Sequence, residues 1–185
     1  MNSWNQLNLA QGVVRAETFD DASAGLRAAL ATWPEVRTIT LLLDPTKTEF
    51  VPWLEAARAA APEVRGLMVQ RFFARLFTKA GYDVIIGREL DIFAGGRLRS
   101  LFIEVKSSLA GGRFGSRDEI TQLDGYLIPS ERRGAERWLG IMGINRPMEL
   151  HDAFRAEMRT RNIGLIDIRW VSLHETLLPH FSSIL

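Results

Sequence analysis

Apolar and polar positions along the chain follow two alternating rhythms. Runs in which apolar residues crowd together, or alternate with polar ones, occur at GVVRAET (12–18), VRTITLLLD (36–44), RWLGIMGIN (137–145) and GLIDIRWVSL (164–173). These read as strands. Between them the apolar spacing changes to the three-and-four of a helix, over 20–32, 64–80 and MELHDAFRAEMRTR (148–161). Thr46 and Glu49 make a T-x-x-E capping box that predicts a further helix running to about 61. Pro62 separates that helix from the one over 64–80, which Gly81 ends. Three short strands are predicted at 82–87, 89–94 and 98–106. A second capping box, Ser116 with Glu119, predicts a helix through 127 that Pro129 stops, and HETLLPHF a short terminal helix.

Helices and strands alternating around a central meander predict an α/β domain, a mixed β-sheet flanked by helices. Residues 1–65 have a β-α-β-α rhythm of their own. They read as an N-terminal extension that packs on, or extends, a core formed by residues 66–185.

Composition changes this picture only at the margins. At 46% apolar and 24% charged, the 185-residue chain has an ordinary globular balance. It has no Cys, which removes disulfides and thiolate-ligated zinc and fits a reducing compartment. MNSWNQLNLA lacks the basic flank and apolar stretch of a signal peptide, and runs such as TLLL are too short to span a bilayer. A cytoplasmic protein with no membrane partner is expected. A net charge of +1 argues against a protein that coats polyanions, but allows a local basic site. Of 23 basic residues only Lys47, Lys79 and Lys106 are lysines, leaving 20 Arg. A Lys inside a strand of this chain therefore stands out.

Lys106 belongs to GRELDIFAGGRLRSLFIEVKSS (87–108), two apolar strands interrupted by Asp91, Glu104 and Lys106. Buried charge is costly unless it is paired or binds a metal. Strand alternation points Phe102, Glu104 and Lys106 one way and Leu101, Ile103 and Val105 the other. A two-residue turn at Gly96-Arg97 would set Asp91 opposite Phe102, with Glu104 as its diagonal neighbour. A turn at Gly95-Gly96 would move the pairing by two residues and keep the faces. Either way the three charges converge. Two carboxylates, with the main-chain carbonyl of Val105 between Glu104 and Lys106, are hard oxygen donors that suit Mg²⁺ (or Mn²⁺). Lys106 beside such an ion could orient water and offset charge on a phosphoryl group, which fits phosphodiester hydrolysis.

With those residues in view, the segment resembles the PD-(D/E)XK nuclease superfamily, the restriction-endonuclease-like fold. GLMVQRFFARLFTKAGYDVI resembles its leading helix and first strand, GRELDIFA its G-E-[IL]-D strand, LFIEVKSS its E-V-K strand and QLDGYL its Q-L-x-x-Y helix. The likeness covers roughly residues 66–145. It implies Asp91 and Glu104 as metal ligands, Lys106 as the catalytic lysine, and Gln122 as the helix glutamine that holds the site or the nucleic-acid backbone. Glu89 matches a common family acid but reads equally as a solvent-facing strand residue. Gln70 stands where the family usually has a metal-contacting Glu; it keeps a carbonyl oxygen and loses a charge. The implied partner is nucleic acid, with DNA favoured, and residues 1–65 could set substrate choice, contact a partner or form a homodimer.

Other features carry less. His151, His174 and His180 are scattered, and DPTKTE (44–49) reads as a turn and helix cap rather than a phosphate loop. Arg97, Arg99, Arg113, Arg117, Arg132 and Arg133 flank the proposed site in sequence and suit phosphates. RFGSR (113–117) reads as a mobile loop that contacts substrate. Two alternatives stay open: an inactive nuclease-fold module that binds nucleic acid or protein, and an unrelated α/β protein with a fortuitous charge cluster. The second requires that Asp91, Glu104 and Lys106 do not meet.

Overall fold

The structure is a computed structural model that describes residues 12–32, 37–87, 91–115 and 134–172. β1 (Val13–Ala16) leads into α1 (Phe19–Leu30). The Thr18 hydroxyl caps α1 by accepting the Asp21 N–H, and Asp20 and Asp21 place negative charge at the positive end of the helix dipole. β2 (Thr38–Leu43) is followed by α2 (Val51–Ala59) and α3 (Pro62–Lys79). Both helices open with a proline in the first turn, where the missing N–H costs nothing. β3 (Asp83–Ile86), β4 (Ile92–Gly95) and β5 (Ser100–Ser108) form the meander. Then come β6 (Gly112–Phe114), β7 (Glu136–Gly143), β8 (Met148–Leu150), α4 (Asp152–Thr160) and β9 (Ile163–Trp170).

The expected mixed α/β architecture is present. Seven strands form the central sheet in the order β1-β2-β9-β7-β5-β4-β3, and β6 pairs with β8 in a small second sheet. From β1 to β5 each neighbouring pair is parallel, while β4 and β3 close the edge antiparallel. β1 and β2, from the first 65 residues, are thus strands of the same sheet, and position 65 lies inside α3. Among the described residues no helix is long and apolar enough to cross a membrane.

One face of the sheet packs against α1, α2 and α3 through a large core that includes Leu26, Leu54, Phe73, Phe77, Ile103 and Ile168. Glycine sets how closely α3 approaches: a methyl group at Gly140 would meet Phe73 Cε1 at 2.7 Å. Burying Phe73 in this layer is worth about 3–5 kcal/mol against alanine. The other face carries a smaller core, in which Leu139, Ile141 and Leu165 meet Phe154 and Met158 of α4 and Met148 and Leu150 of β8.

Several local expectations are corrected. The Thr46–Glu49 box does not cap a helix. The Asp44 carboxylate, fully buried, accepts both the Thr46 N–H at 3.0 Å and its hydroxyl at 2.7 Å. Glu49 instead accepts the Phe19 N–H at 2.8 Å, at the start of α1. α2 therefore begins only at Val51, with no side-chain cap. The helix read over 148–161 is a strand and a helix, because Met148–Leu150 pairs with Gly112–Phe114. The same pairing makes the first part of RFGSR a strand rather than a loop. The predicted helices around 116–127 and 174–181 lie outside the described residues.

Candidate metal centre

Three elements build the site. β5 carries Glu104 and Lys106, the chain entering β4 carries Asp91, and α3 carries Gln70. The hairpin turns one residue later than Gly96-Arg97 and two later than Gly95-Gly96, which moves the pairing by two and by four residues. The Gly96 N–H donates to the Arg99 carbonyl at 2.8 Å, leaving Arg97 and Leu98 in the turn. The ladder therefore pairs Phe93 with Phe102 and Ile92 with Ile103. One step further along, Asp91 lies across from Glu104 instead of Phe102. The shift is an even number of residues, so faces are kept and the two carboxylates come closer than expected.

The charges do meet. Lys106 Nζ is 2.7 Å from Glu104 Oε1. Asp91 Oδ2 accepts the Val105 N–H at 2.8 Å, so its side chain folds against the edge of β5. Glu104 is only 8% exposed. Burial pushes its carboxyl above the ordinary range, and Lys106 opposes that, while Asp91 adds to it both by charge and by a side-chain hydrogen bond. The three charges therefore converge on one point, as strand alternation predicts.

Gln70 reaches the site, in a different role from a ligand. On α3 it shares a buried stripe with Phe73, Ala74 and Phe77, as the helical spacing predicts. Its Nε2 donates to the Asp91 main-chain carbonyl at 2.9 Å and to Asp91 Oδ1 at 3.1 Å. Both partners are acceptors, so the amide nitrogen must face them. Gln70 clamps Asp91 with donors rather than presenting its carbonyl oxygen to the same point.

Among the described residues no group of three or more Asp, Glu and His side chains comes together. Two carboxylates and one ammonium leave the site at −1. A Mg²⁺ site built from one or two carboxylates, water and substrate phosphate needs no third acid. Gln70 donates to Asp91 Oδ1 and the Val105 N–H to Oδ2, and a carboxylate has about four lone-pair sites, so room for an ion remains. A buried carboxyl whose ionised form is under-compensated also favours an incoming cation. On these grounds the residues fit a divalent ion held by Asp91 and Glu104.

Gln122, Glu89, Arg117, Arg132 and Arg133 lie outside the described residues, as do His174 and His180. Arg113 is exposed on β6 and His151 is exposed ahead of α4. Arg97 and Arg99 are at the tip of the hairpin, the far end of β5 from Lys106, so they do not flank the site in space.

The sequence reading passed over one pair on the same face. The register aligns Lys106 with Ile141 and Ile141 with Asp167. Asp167 is 4% exposed, Arg169 Nε is 2.7 Å from its Oδ2, and Oδ1 has no hydrogen-bond partner among the described residues. The signal was available: a carboxylate interrupts the apolar strand Leu165-Ile166-Asp167-Ile168, as Glu104 interrupts its own. Comparison with protein-family models, with curated proteins and with solved structures yields no match, so the chemistry of this centre rests on its own geometry.

Proposed function

We propose that the chain is a metal-dependent nuclease of the PD-(D/E)XK type that hydrolyses phosphodiester bonds in nucleic acid, with DNA as the substrate class. The observation that carries the reading is the meeting of Asp91, Glu104, Lys106 and Gln70, from three separate elements, around one buried carboxylate, Glu104, and one half-buried carboxylate, Asp91. Leading helix, first strand, Asp91 strand and Glu104 strand also follow in the order the resemblance implies.

In this reading Asp91 and Glu104 hold Mg²⁺, or Mn²⁺, with the Val105 carbonyl as a further oxygen donor. The bound ion supplies Lewis acidity and lowers the pKa of a water. Asp91 is held in place by the Val105 N–H and the Gln70 amide. Lys106 stands one hydrogen bond from Glu104, where its ammonium orients a water and offsets charge building on the phosphate oxygens. With the ion present the local charge becomes +1, which attracts the phosphodiester anion.

The alternative is a nuclease-fold module that binds nucleic acid or protein without cleaving. It is favoured by Gln70, which contributes donors where a third acid would contribute ligand charge. One assay separates the two: duplex, single-stranded and branched DNA, and RNA, each incubated with Mg²⁺ and with EDTA. Cleavage that needs the metal, and is lost in Glu104→Ala while binding survives, supports the enzyme. Cleavage that persists in EDTA, or is unchanged in Glu104→Ala, removes the catalytic assignment. Binding without cleavage by the parent selects the module.

A further inference from the structure

A second feature lies at the opposite end of β5, roughly 20 Å along the strand from Lys106. Between the end of α1, the end of α3 and the β4–β5 hairpin tip is a cleft of about 410 Å³. That is toward the small end of ligand sites, which span roughly 300–1,000 Å³. Its described lining combines Arg27, Arg97 and Arg99 with Leu30, Tyr82 and Leu98.

The cleft is held open by specific contacts. Arg99 Nη1 donates to the Leu30 carbonyl at 2.5 Å, and Arg99 Nε lies 3.6 Å from Glu136 Oε1. This arginine ties the hairpin to the end of α1. Tyr82 packs edge-on against Phe77, with ring centres 5.6 Å apart. A methyl group at Gly96 would meet Tyr82 Cε1 and the Arg99 carbonyl oxygen, each at 2.8 Å, so glycine lets the ring lie against the hairpin.

Arg27 and Arg97 are different. Both are exposed, and neither has an ion pair or side-chain hydrogen bond among the described residues. Beside them Leu98 is 97% exposed, an apolar side chain standing in solvent at a turn. Two guanidiniums without a partner among the described residues, next to a tyrosine ring and an exposed leucine, offer positive charge to an anion beside an apolar wall.

We propose that this cleft binds a nucleoside monophosphate, its phosphate between Arg27 and Arg97 and its base against Tyr82 and Leu98. The site is separate from the metal centre, and the proposal stands whether or not the chain cleaves nucleic acid.

The test is calorimetric titration of the full chain at low salt, in EDTA so that no metal bridges a nucleotide to Glu104. The probes are AMP, GMP, CMP, UMP, the corresponding nucleosides and inorganic phosphate. At least one nucleotide should bind one-to-one, its nucleoside and inorganic phosphate at least tenfold more weakly. Arg27→Ala with Arg97→Ala should weaken that nucleotide at least tenfold with an unchanged melting temperature. Leu98→Ser should weaken the nucleotide and leave phosphate unaffected. A control pair of exposed arginines outside the cleft lining, Arg71→Ala with Arg159→Ala, should bind as the parent does. Absence of binding by all four nucleotides overturns the proposal, as does an equal loss in both double variants.

Discussion

The central sheet contains two buried acids built to one plan. Glu104 on β5 and Asp167 on β9 share a face, and each pairs at 2.7 Å with a basic residue two positions further along its own strand. Burial raises both carboxyls. They differ in the third charge. Glu104 has Asp91 beside it, so its cluster is acidic overall, at −1. Asp167 has the cation Arg155 of α4, so its cluster is basic overall, at +1. An E-x-K or D-x-R step in a strand therefore does not define a metal site. The neighbour supplied by another element separates the two clusters, and only the acidic one has the surplus negative charge that a divalent cation needs.

The largest test of this contrast is a pair of like-for-like swaps. Lys106→Arg keeps the charge, but a planar guanidinium cannot take the place of a compact ammonium between water and phosphate. On the proposed nuclease reading its cleavage rate should fall by about a hundredfold or more, the scale of losing one transition-state donor. Arg169→Lys should leave the rate within a few-fold of the parent. Equal losses in single-turnover assays would mean that both pairs serve one site.

Next in size is Gln70→Glu. It sets a carboxylate against both the carbonyl and the carboxylate of Asp91, where the amide now donates. Without metal these acceptors repel, so the variant should melt lower than the parent in EDTA. Added ligand charge should tighten Mg²⁺ by about tenfold, or 1.4 kcal/mol. At a hundred times its Kd the ion stabilises by about 2.7 kcal/mol, so the variant should also gain more from Mg²⁺ in a melting curve. Equal Mg²⁺ affinity in the two proteins would place Gln70 outside the metal's reach.

The smallest effect concerns the basic cluster and pH. Burial is the first cause of the rise of Asp167 above its ordinary 3.8, ahead of the opposing Arg169. The folded state thus binds this proton more tightly than the unfolded one. Stability from Asp167 is fullest below pH 3.8 and is lost as pH rises through the raised folded value. Asp167→Asn removes that loss. The melting temperature of the variant minus that of the parent should climb from about pH 4 upward and then level off. A difference that is flat or falling with pH would show that the Arg169 pair outweighs burial.

The site was legible from the sequence to the extent that it depends on strand alternation. Glu104 and Lys106 had to share a face whatever lay beside them. Gln70 was legible through the helical stripe it shares with Phe73 and Phe77. Asp91 was legible only in its face: neither glycine turn gives the observed register, and the residue sits just before β4, across from Glu104. Glycine makes a tight turn easy, but there Gly96 makes room for the Tyr82 ring, and the chain turns at Arg97-Leu98.

Sequence by itself determined the α/β alternation, the helical stripes and the pairing of charge with apolar strand, since each follows from the repeat of one element. Tertiary structure alone decided which partner each polar group takes. Glu49 could cap its own helix, yet it goes to the Phe19 N–H thirty residues away, and Met148–Leu150 leaves a helical pattern to pair with Gly112–Phe114. It also turned the Gln70 amide toward Asp91 and gave Glu104 an acid and Asp167 an arginine as third neighbour. Local spacing cannot encode such choices, because a hydrogen bond or ion pair depends on which distant segment packing brings within about 3 Å.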